Sequence, residues 1–326
     1  MIFPLMLSRS VQLLDCQPDL SSLRSEVLDG LRSPVKRLPC KLFYDEKGSR
    51  LFEQICQLPE YYLTRTEMAI IRAHIAEIVS CIKDTNVLIE YGSGSSEKTR
   101  ILLDHLPALN AYVPIDISKE QLLRSAHTLL AIYPKLAVLP VCADYNQPFA
   151  LSYCDRPDLR KTIFFPGSTI GNFHPHEATD FLKRAAQVCG IGGGLLIGVD
   201  LKKDPHTLNR AYNDLANVTA AFNLNLLTRL NRELGADFQP DQFCHYAFYN
   251  QWTSRVEMHL ISKSAQMVQI DDEALSLKAW ESIWTESSYK YSVDEFAELA
   301  WKAGFRLHQA WTDKDQLFSV QYLIHY

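Results

Sequence analysis

Short apolar runs alternate with amphipathic stretches through the middle of the chain. Runs that each predict one buried strand occur at 87–89, 111–115, 137–142, 161–165 and 191–200, the last after a glycine turn. Helical spacing of apolar residues predicts helices between them, at 98–106, 120–133 and 177–188. A regular alternation of strand and helix is typical of a parallel sheet with helices on its faces. The pattern therefore predicts an α/β fold for this part of the chain.

The pattern differs on both sides of this region. Upstream, a short helix is predicted at 21–31, and a longer amphipathic helix is predicted at 67–79. Downstream, residues 204–234 have a mostly helical pattern, and residues 238–262 alternate aromatic and polar side chains. Such alternation is typical of antiparallel strands. We therefore interpret the region from 203 to about 286 as an insertion into the α/β core.

The chain ends with a predicted helix at 292–303 and two predicted strands at 305–311 and 317–325. We expect these strands to form an antiparallel edge of an otherwise mostly parallel sheet. The predicted organisation is a Rossmann-like core and an accessory substrate-binding lobe. The core is predicted over 68–202 and 288–326, and the lobe over 1–67 and 203–287.

A glycine turn follows the first predicted strand. The strand leads through Glu90 into Gly92 and Gly94, and Ser95 and Ser96 are candidates to cap the next helix. Glycine permits the positive φ of a tight turn and lets a ligand approach the backbone closely. A strand, a glycine turn and a helix are together typical of the start of a nucleotide-binding unit.

The residue order in this turn argues against two nucleotide-binding motifs. No Lys-Ser or Lys-Thr follows at P-loop spacing, and Glu97 stands where G-x-G-x-x-G has its third glycine. The second difference argues against a dinucleotide oxidoreductase. The carboxylate of Glu90 favours a cationic cofactor, and E-x-G-x-G after a strand is the usual pattern of methyltransferases that use S-adenosylmethionine. A plain αβ turn without a ligand is the alternative.

Polar residues also follow the next three predicted strands. Asp116 comes about 20 residues after the glycines, where such folds hold ribose hydroxyls. Asp144 and Tyr145 suit an adenine, as an acceptor for its amine and a ring to stack on; for Asp144 a turn residue is the alternative. Asn172 lies at the tip of the loop PGSTIGNFHP. Ligands bind at the carboxyl ends of parallel strands, so these residues are candidates for one site.

Composition and charge restrict the classes of partner. The net charge of −5 argues against nucleic acid as the main partner, and no run of about 18 apolar residues predicts a membrane span. The 326-residue chain has eight cysteines without a C-x-x-C pair, so we expect buried, reduced thiols and a cytoplasmic location. The start MIFPLMLSRS is too short and proline-broken for a signal peptide. His174 and His176 have no third ligand nearby, so no metal site is expected.

The segment 41–67 is dense in aromatic residues. They are Phe43, Tyr44, Phe52, Tyr61 and Tyr62. For each ring, an aromatic mini-core is the plain interpretation. Two adjacent tyrosines in a polar loop are harder to bury, so one of them is a candidate to face a ligand.

Together these motifs resemble one family, the histidine Nα-methyltransferases of ergothioneine biosynthesis. The resemblance runs from about residue 38 to the end, through FYDEKGSRLFEQI, LPEYYLTRTE, EYGSGSSEKTR, FPGSTIGN and TESSYKY. It implies a class I methyltransferase core that uses S-adenosylmethionine without a metal. It also implies trimethylation of L-histidine to hercynine (Nα,Nα,Nα-trimethyl-L-histidine), the first step of that pathway. The expected partner is a small-molecule amino acid, with no nucleic acid or membrane, and we expect a monomer.

The resemblance assigns roles to individual positions. It implies that S-adenosylmethionine is held by Gly92, Lys98, Asp116, Asp144 and Tyr145. It implies that the substrate is bound by Tyr61, Asn172, Tyr212, Met258, Glu286 and Ser288. Within this set Asn172 and Tyr212 would hold the carboxylate, whereas Tyr61, Glu286 and Ser288 would contact the imidazole. Tyr44 would lie close to the reacting amine and is, with Asn172, the predicted catalytic pair. Tyr91 departs from the aliphatic residue expected in the family.

The sequence leaves two alternatives, a different amino acid substrate and a different class of protein. Some members of the family methylate tryptophan or prenylated tryptophan. Glu286 favours histidine, because a carboxylate accepts an imidazole N–H, whereas an indole has one N–H and no ionic partner. A non-catalytic S-adenosylmethionine-binding regulator is a further alternative, and the full set of substrate-type residues argues against it.

Overall fold

The computed structural model describes residues 12–16, 20–94, 96–147, 149, 151 and 159–326, and the chain divides into two compact units. Unit 1 contains the described residues of Met1–Gln17, Arg65–Leu201 and Tyr291–Tyr326. Unit 2 contains those of Pro18–Thr64 and Lys202–Lys290.

The helices and strands of the described residues are numbered along the chain. The helices are α1 (Leu20–Arg32), α2 (Glu46–Gln57), α3 (Tyr62–Ala73), α4 (Ile75–Ile82), α5 (Glu97–Leu103), α6 (Lys119–Ile132), α7 (Pro175–Cys189), α8 (Pro205–Ala211), α9 (Val218–Leu234) and α10 (Val293–Trp301). The strands are β1 (Leu14–Cys16), β2 (Val87–Tyr91), β3 (Ala111–Asp116), β4 (Ala137–Val138), β5 (Val141–Ala143), β6 (Lys161–Phe165), β7 (Gly194–Asp200), β8 (Phe243–Asn250), β9 (Arg255–Ser262), β10 (Gln266–Ile270), β11 (Glu273–Leu277), β12 (Ser282–Tyr289), β13 (Phe305–Thr312) and β14 (Phe318–His325).

In the described part of unit 1, nine strands form one sheet in the order β1-β5-β3-β2-β6-β7-β14-β13, with β4 beside β3. The strand pairs from β1 to β7 are parallel, whereas β14 is antiparallel to both β7 and β13. Every residue of β2 and β7 is buried, as expected in the centre of a sheet covered on both faces. The predicted mostly parallel sheet with an antiparallel C-terminal edge is confirmed.

The strand β1 corrects the predicted organisation at the start of the chain. The sequence pattern predicts that residues 1–67 belong to the accessory lobe, but Leu14–Cys16 pairs in parallel with Val141–Ala143 in the sheet of unit 1. Three residues are too few for a readable period of two, so the sequence carried no strand signal here.

Two predicted elements are each split in the structure. The helix predicted at 67–79 is α3 and α4, because the backbone of His74 (φ −114°, ψ 18°) is not helical. The strand predicted at 137–142 is β4 and β5, which are separated by Leu139 and Pro140. Proline has no N–H for the ladder of a sheet, which explains the interruption.

Cysteine burial differs from the prediction. The seven cysteines of the described residues are free thiols, but only Cys142 and Cys189 are buried, and Cys16 is exposed.

Three predictions concern residues that the structure does not describe, namely Cys154, Ser95 and the start MIFPLMLSRS. Within the described part of the chain, the helices are all too short or too polar to cross a lipid bilayer.

Unit 2 contains two antiparallel sheets, β12-β9-β8 and β10-β11. The predicted aromatic mini-core is present: Phe43 is fully buried and its ring stacks on Phe222, with centroids 4.4 Å apart. Asp45 starts α2 by accepting the Gly48 N–H at 2.7 Å. A Cβ at Gly48 would lie 1.7 Å from the Phe43 carbonyl oxygen, so the glycine in FYDEKGS is required by packing.

A buried ion pair connects three segments of unit 1. The Glu67 carboxylate is fully buried and accepts the Lys98 ammonium at 2.5 Å. The same carboxylate accepts the Gly167 N–H at 2.9 and 3.0 Å. Gly198 in β7 leaves room for it, because a Cβ there would lie 2.0 Å from Glu67 Oε1.

Gly198→Ala is expected to lower the free energy of unfolding by about 1–3 kcal/mol, the usual cost of overpacking a core. Urea unfolding measures this cost in the parent and in a Glu67→Ala background. Without the carboxylate the main obstacle is gone, so the cost should fall to about half or less. An equal cost in both backgrounds would contradict the idea that the ion pair requires glycine here.

Candidate cofactor and substrate sites

The glycine turn after β2 has the conformation that its sequence predicts. Gly92 and Gly94 have φ values of 69° and 48°, and the Gly92 N–H donates to the Ile115 carbonyl at 2.8 Å. A Cβ on either glycine would meet no atom within 4 Å, so the space beside the turn is open. Ser96 occupies the N-cap of α5, but its side chain makes no capping hydrogen bond, so that prediction is wrong.

Asp116 at the end of β3 holds this turn in place. Its Oδ2 accepts the Gly94 N–H at 3.0 Å, and its Oδ1 accepts the Ser118 N–H at 2.9 Å. Burial raises the pKa of the carboxyl, and these backbone hydrogen bonds oppose the rise. Each carboxylate oxygen can accept a further hydrogen bond, so the group fits a ligand that carries hydroxyls.

Asp144 and Tyr145 lie next to each other after β5. The Asp144 carboxylate is buried and accepts the Asn146 N–H at 2.9 Å. The partly exposed Tyr145 ring packs against Tyr91 and Phe165, with both centroid distances 5.8 Å. Tyr91, which departs from the expected aliphatic residue, therefore packs against the ring predicted to stack on adenine.

Lys98 has a partner that the sequence analysis missed. Its ammonium pairs with Glu67, so its predicted contact with a cofactor would have to be shared with this ion pair. A signal for Glu67 was present in the sequence. The residue lies one helical turn before Ile71, on the face predicted to be buried, where an acid needs a partner.

Glu90 does not present a charge to the glycine turn as predicted. It is 1% exposed, and its Oε2 accepts the hydroxyls of Thr99, at 2.5 Å, and Tyr112. Burial raises the pKa of Glu90 to about 8, although both hydroxyl hydrogen bonds oppose the rise. Because Glu90 is buried and its Oε2 is hydrogen-bonded within the unit, the carboxyl does not face the open side of the turn, where a cationic cofactor was expected to meet it.

Asn172 belongs to unit 1 and ends a 3-10 turn, Thr169–Asn172, in the loop after β6. Its side chain is partly exposed.

His174 and His176 follow, with parallel rings 6.0 Å apart, and His176 is exposed. Among the residues that the structure describes, no group of three His, Cys, Asp or Glu side chains could hold a metal ion.

The remaining substrate candidates belong to unit 2, and five of them lie on connected elements. Met258 in β9 is the cross-strand partner of Glu286 in β12. Glu286 and Ser288 are two residues apart, so they share one face of the strand. The Ser288 Oγ accepts the Tyr212 hydroxyl at 2.8 Å, and the Tyr212 ring packs edge-on against Tyr61 at 6.3 Å.

Glu286 differs from its neighbours in exposure. Tyr61, Tyr212, Met258 and Ser288 are buried, whereas Glu286 is partly exposed. Desolvation raises the pKa of Glu286 to about 7, and the Lys290 ammonium opposes the rise. A desolvated carboxyl on a partly exposed residue is a candidate to bind a polar ligand group.

Tyr44 connects to this cluster through aromatic contacts. Its ring packs edge-on against Phe52 at 5.7 Å, and Phe52 packs against Tyr61 at 6.2 Å.

Lys290 is a second residue that the sequence analysis missed. It lies two positions beyond Ser288 in TESSYKY, where the period of two places it on the same face.

Comparison with known proteins identifies the family of this chain. The family model described as "Histidine-specific methyltransferase, SAM-dependent" matches residues 23–325. Histidine N-alpha-methyltransferases of Mycolicibacterium smegmatis and Mycobacterium tuberculosis are 42% and 43% identical, over 90% of this chain and 91% and 92% of theirs. A 4-dimethylallyltryptophan N-methyltransferase of Aspergillus fumigatus is 26% identical over 90% of this chain and 91% of its own. Because the family model covers nearly the whole length, the chain belongs to the histidine-specific, S-adenosylmethionine-dependent methyltransferases.

Proposed function

We propose that the protein transfers three methyl groups from S-adenosylmethionine to the α-amine of L-histidine and so forms hercynine, the first step of ergothioneine biosynthesis. The observation that carries the proposal is the partly exposed residue Glu286, which shares one face of β12 with the Ser288 hydroxyl. A carboxyl and a hydroxyl at this spacing supply one partner for each nitrogen of an imidazole. Relatives named histidine N-alpha-methyltransferase support the same substrate.

The residues of unit 1 fit S-adenosylmethionine, which supplies the methyl group when it is bound. The open space beside Gly92 and Gly94 admits a ligand close to the backbone. Asp116 would accept the ribose hydroxyls, and Asp144 with Tyr145 would hold the adenine. Lys98 would support the site by holding the Gly167 loop through Glu67.

Positioning is the main contribution that the protein makes to this reaction. Methyl transfer from a sulfonium to an amine is an in-line displacement with a good leaving group, so alignment lowers much of the barrier. The amine must be neutral to react, and Tyr44 or a water would take its proton. Tyr212 and Asn172 remain the predicted partners of the substrate carboxylate.

Three transfers at one site follow from where the substrate is held. The carboxylate and imidazole anchors do not contact the nitrogen that changes, so they bind mono- and dimethylhistidine as they bind histidine. The nitrogen can rotate to present its lone pair after each transfer. Trimethylhistidine has no lone pair on that nitrogen, so the reaction stops there.

Methylation of tryptophan or a prenylated tryptophan is less well supported. The relative named for 4-dimethylallyltryptophan is 26% identical, against 42% and 43% for the mycobacterial relatives. Glu286 also argues against an indole, because the carboxyl would be desolvated against an apolar ring and have only one N–H to accept.

The direct test is to incubate the protein with S-adenosylmethionine and each of the 20 amino acids. Mass spectrometry at intermediate times should show gains of one, two and three methyl groups on L-histidine. A reaction that halts at one methyl would contradict the three-step account. Methylation of tryptophan in preference to histidine would contradict the proposed substrate.

Asp116→Ala is expected to weaken S-adenosylmethionine binding by about 2–3 kcal/mol, the scale of lost hydrogen bonds to a charged group. The variant also removes the acceptor for the Gly94 N–H, so the turn loses its support. Calorimetric titration of the cofactor measures the loss. Asp84→Ala, which changes an exposed acid of the same unit, is the control. Unchanged affinity in a folded Asp116→Ala protein would mean that the assignment is wrong.

Glu286→Ala is expected to lower kcat/KM for histidine by about 10- to 150-fold, because a hydrogen bond to a charged group contributes about 1.5–3 kcal/mol. Discrimination against tryptophan and phenylalanine should fall by at least the same factor. The measurement is kcat/KM for the three amino acids. Glu273→Ala, whose salt bridge to Arg32 is exposed, should leave all three values unchanged. A Glu286→Ala enzyme that keeps its full histidine preference would refute the role of Glu286.

A further inference from the structure

Lys290 is a buried lysine that contacts the hydroxyl groups of two substrate-binding candidates, Ser288 and Tyr212. Its Nζ donates to Ser288 Oγ at 2.7 Å and to Tyr212 Oη at 3.2 Å. The Tyr212 hydroxyl donates to Ser288 Oγ at 2.8 Å, which closes a triangle of three hydrogen bonds. Lys290, Ser288 and Tyr212 are 1%, 4% and 5% exposed, so the triangle is shielded from bulk water.

The number of hydrogens determines what Ser288 can offer to a ligand. An ammonium group only donates, whereas a serine hydroxyl has one hydrogen and two lone pairs. In the structure, Ser288 Oγ accepts from both Lys290 and Tyr212, so both lone pairs are used. Its own hydrogen is the one group left for a ligand, and Ser288 is therefore a donor in this arrangement.

A carboxylate at Tyr212 would reverse this arrangement. Carboxylates accept and do not donate, so Tyr212 would turn its single hydrogen toward the carboxylate. The hydrogen bond between the two hydroxyls can then be kept only if Ser288 donates to Tyr212. One lone pair of Ser288 becomes available, and the residue changes from a donor to an acceptor for a ring N–H. Lys290 donates to both oxygens in either arrangement and holds them in place.

We propose that Lys290, Tyr212 and Ser288 form a hydrogen-bond relay that couples recognition of the substrate carboxylate to recognition of its side chain. The relay rests on the proposed function, which places the carboxylate at Tyr212 and the imidazole at Ser288. It adds that Ser288 accepts a ring N–H only from a ligand that also brings a carboxylate. Lys290 is a positioning residue, because it acts through the two hydroxyls.

Four ligands separate the two recognition events. L-histidine and histamine have the same ring, with and without a carboxylate. β-(4-Thiazolyl)-L-alanine and 2-(4-thiazolyl)ethylamine are their counterparts with a ring that keeps one acceptor nitrogen and has no N–H. The cost of replacing imidazole by thiazole is the ratio of the two dissociation constants, measured by calorimetry with S-adenosylhomocysteine present.

The relay predicts that this cost is at least fivefold larger for the pair with a carboxylate than for the pair without it. When both Glu286 and Ser288 accept, the ring is an imidazolium, which has one N–H for each of them. When Ser288 donates, the ring is neutral and its one N–H goes to Glu286. The N–H that Glu286 accepts is therefore present in both imidazole ligands and cancels in the comparison. Equal costs in the unmodified protein would overturn the relay without any variant. Weaker binding of every carboxylate ligand alone would not produce the difference.

Variants test whether Lys290, Ser288 and Tyr212 couple recognition of the carboxylate to recognition of the ring. Lys290→Met and Ser288→Ala should each bring the two costs within about twofold of each other. Lys278→Met, at an exposed lysine of the same unit, should keep the full difference. A full difference in Ser288→Ala would overturn the relay. If histidine is methylated but the costs are equal, only the relay fails; if histidine is neither bound nor methylated, the proposed function fails with it.

Discussion

The arrangement of unit 1 depends on the buried carboxylate of Glu67. An uncompensated carboxylate in the interior would cost several kcal/mol, so its partners must be present whenever the unit is folded. Those partners are the Lys98 ammonium and the Gly167 N–H, which are 31 and 100 residues away in the chain. One side chain therefore ties the helix after the glycine turn to the loop after β6, and both of these segments border the proposed cofactor site. Because Glu67, Lys98 and Gly167 lie in LPEYYLTRTE, EYGSGSSEKTR and FPGSTIGN, these contacts join the three motifs.

The candidate sites of the two units are built from different kinds of polar contact. In unit 1, carboxylates fix backbone N–H groups: Asp116 holds Gly94, and Glu67 holds Gly167. In unit 2, side chains bond to other side chains, as in the triangle of Tyr212, Ser288 and Lys290. Backbone geometry depends little on side-chain identity, so the turn of unit 1 suits a cofactor common to many enzymes. Side-chain networks change with single substitutions, which suits the selection of one amino acid.

Two glutamates with raised pKa values, Glu90 and Glu286, have different surroundings. Burial raises the pKa of Glu90 to about 8 and that of Glu286 to about 7. Glu90 is enclosed and accepts two hydroxyls from its own unit, so its hydrogen-bonding capacity is used inside the protein. Glu286 is partly exposed on a strand face that also carries Ser288. A raised pKa alone would not distinguish them, whereas accessibility does.

The local features of this protein could be predicted from its amino-acid sequence. Strand and helix periods predicted the alternating core and its antiparallel edge, and Gly92 and Gly94 predicted a turn with positive φ, because these properties depend on residues close together in the chain. Which polar groups contact each other depends on how distant segments pack in the folded chain. In the folded chain Lys98 pairs with Glu67, and Glu90 is buried against Thr99. The strand β1 joins the sheet, and Lys290 contacts Ser288 and Tyr212. A buried polar group takes its partner from whichever segment packs beside it, and a periodic pattern along one segment contains no record of that neighbour.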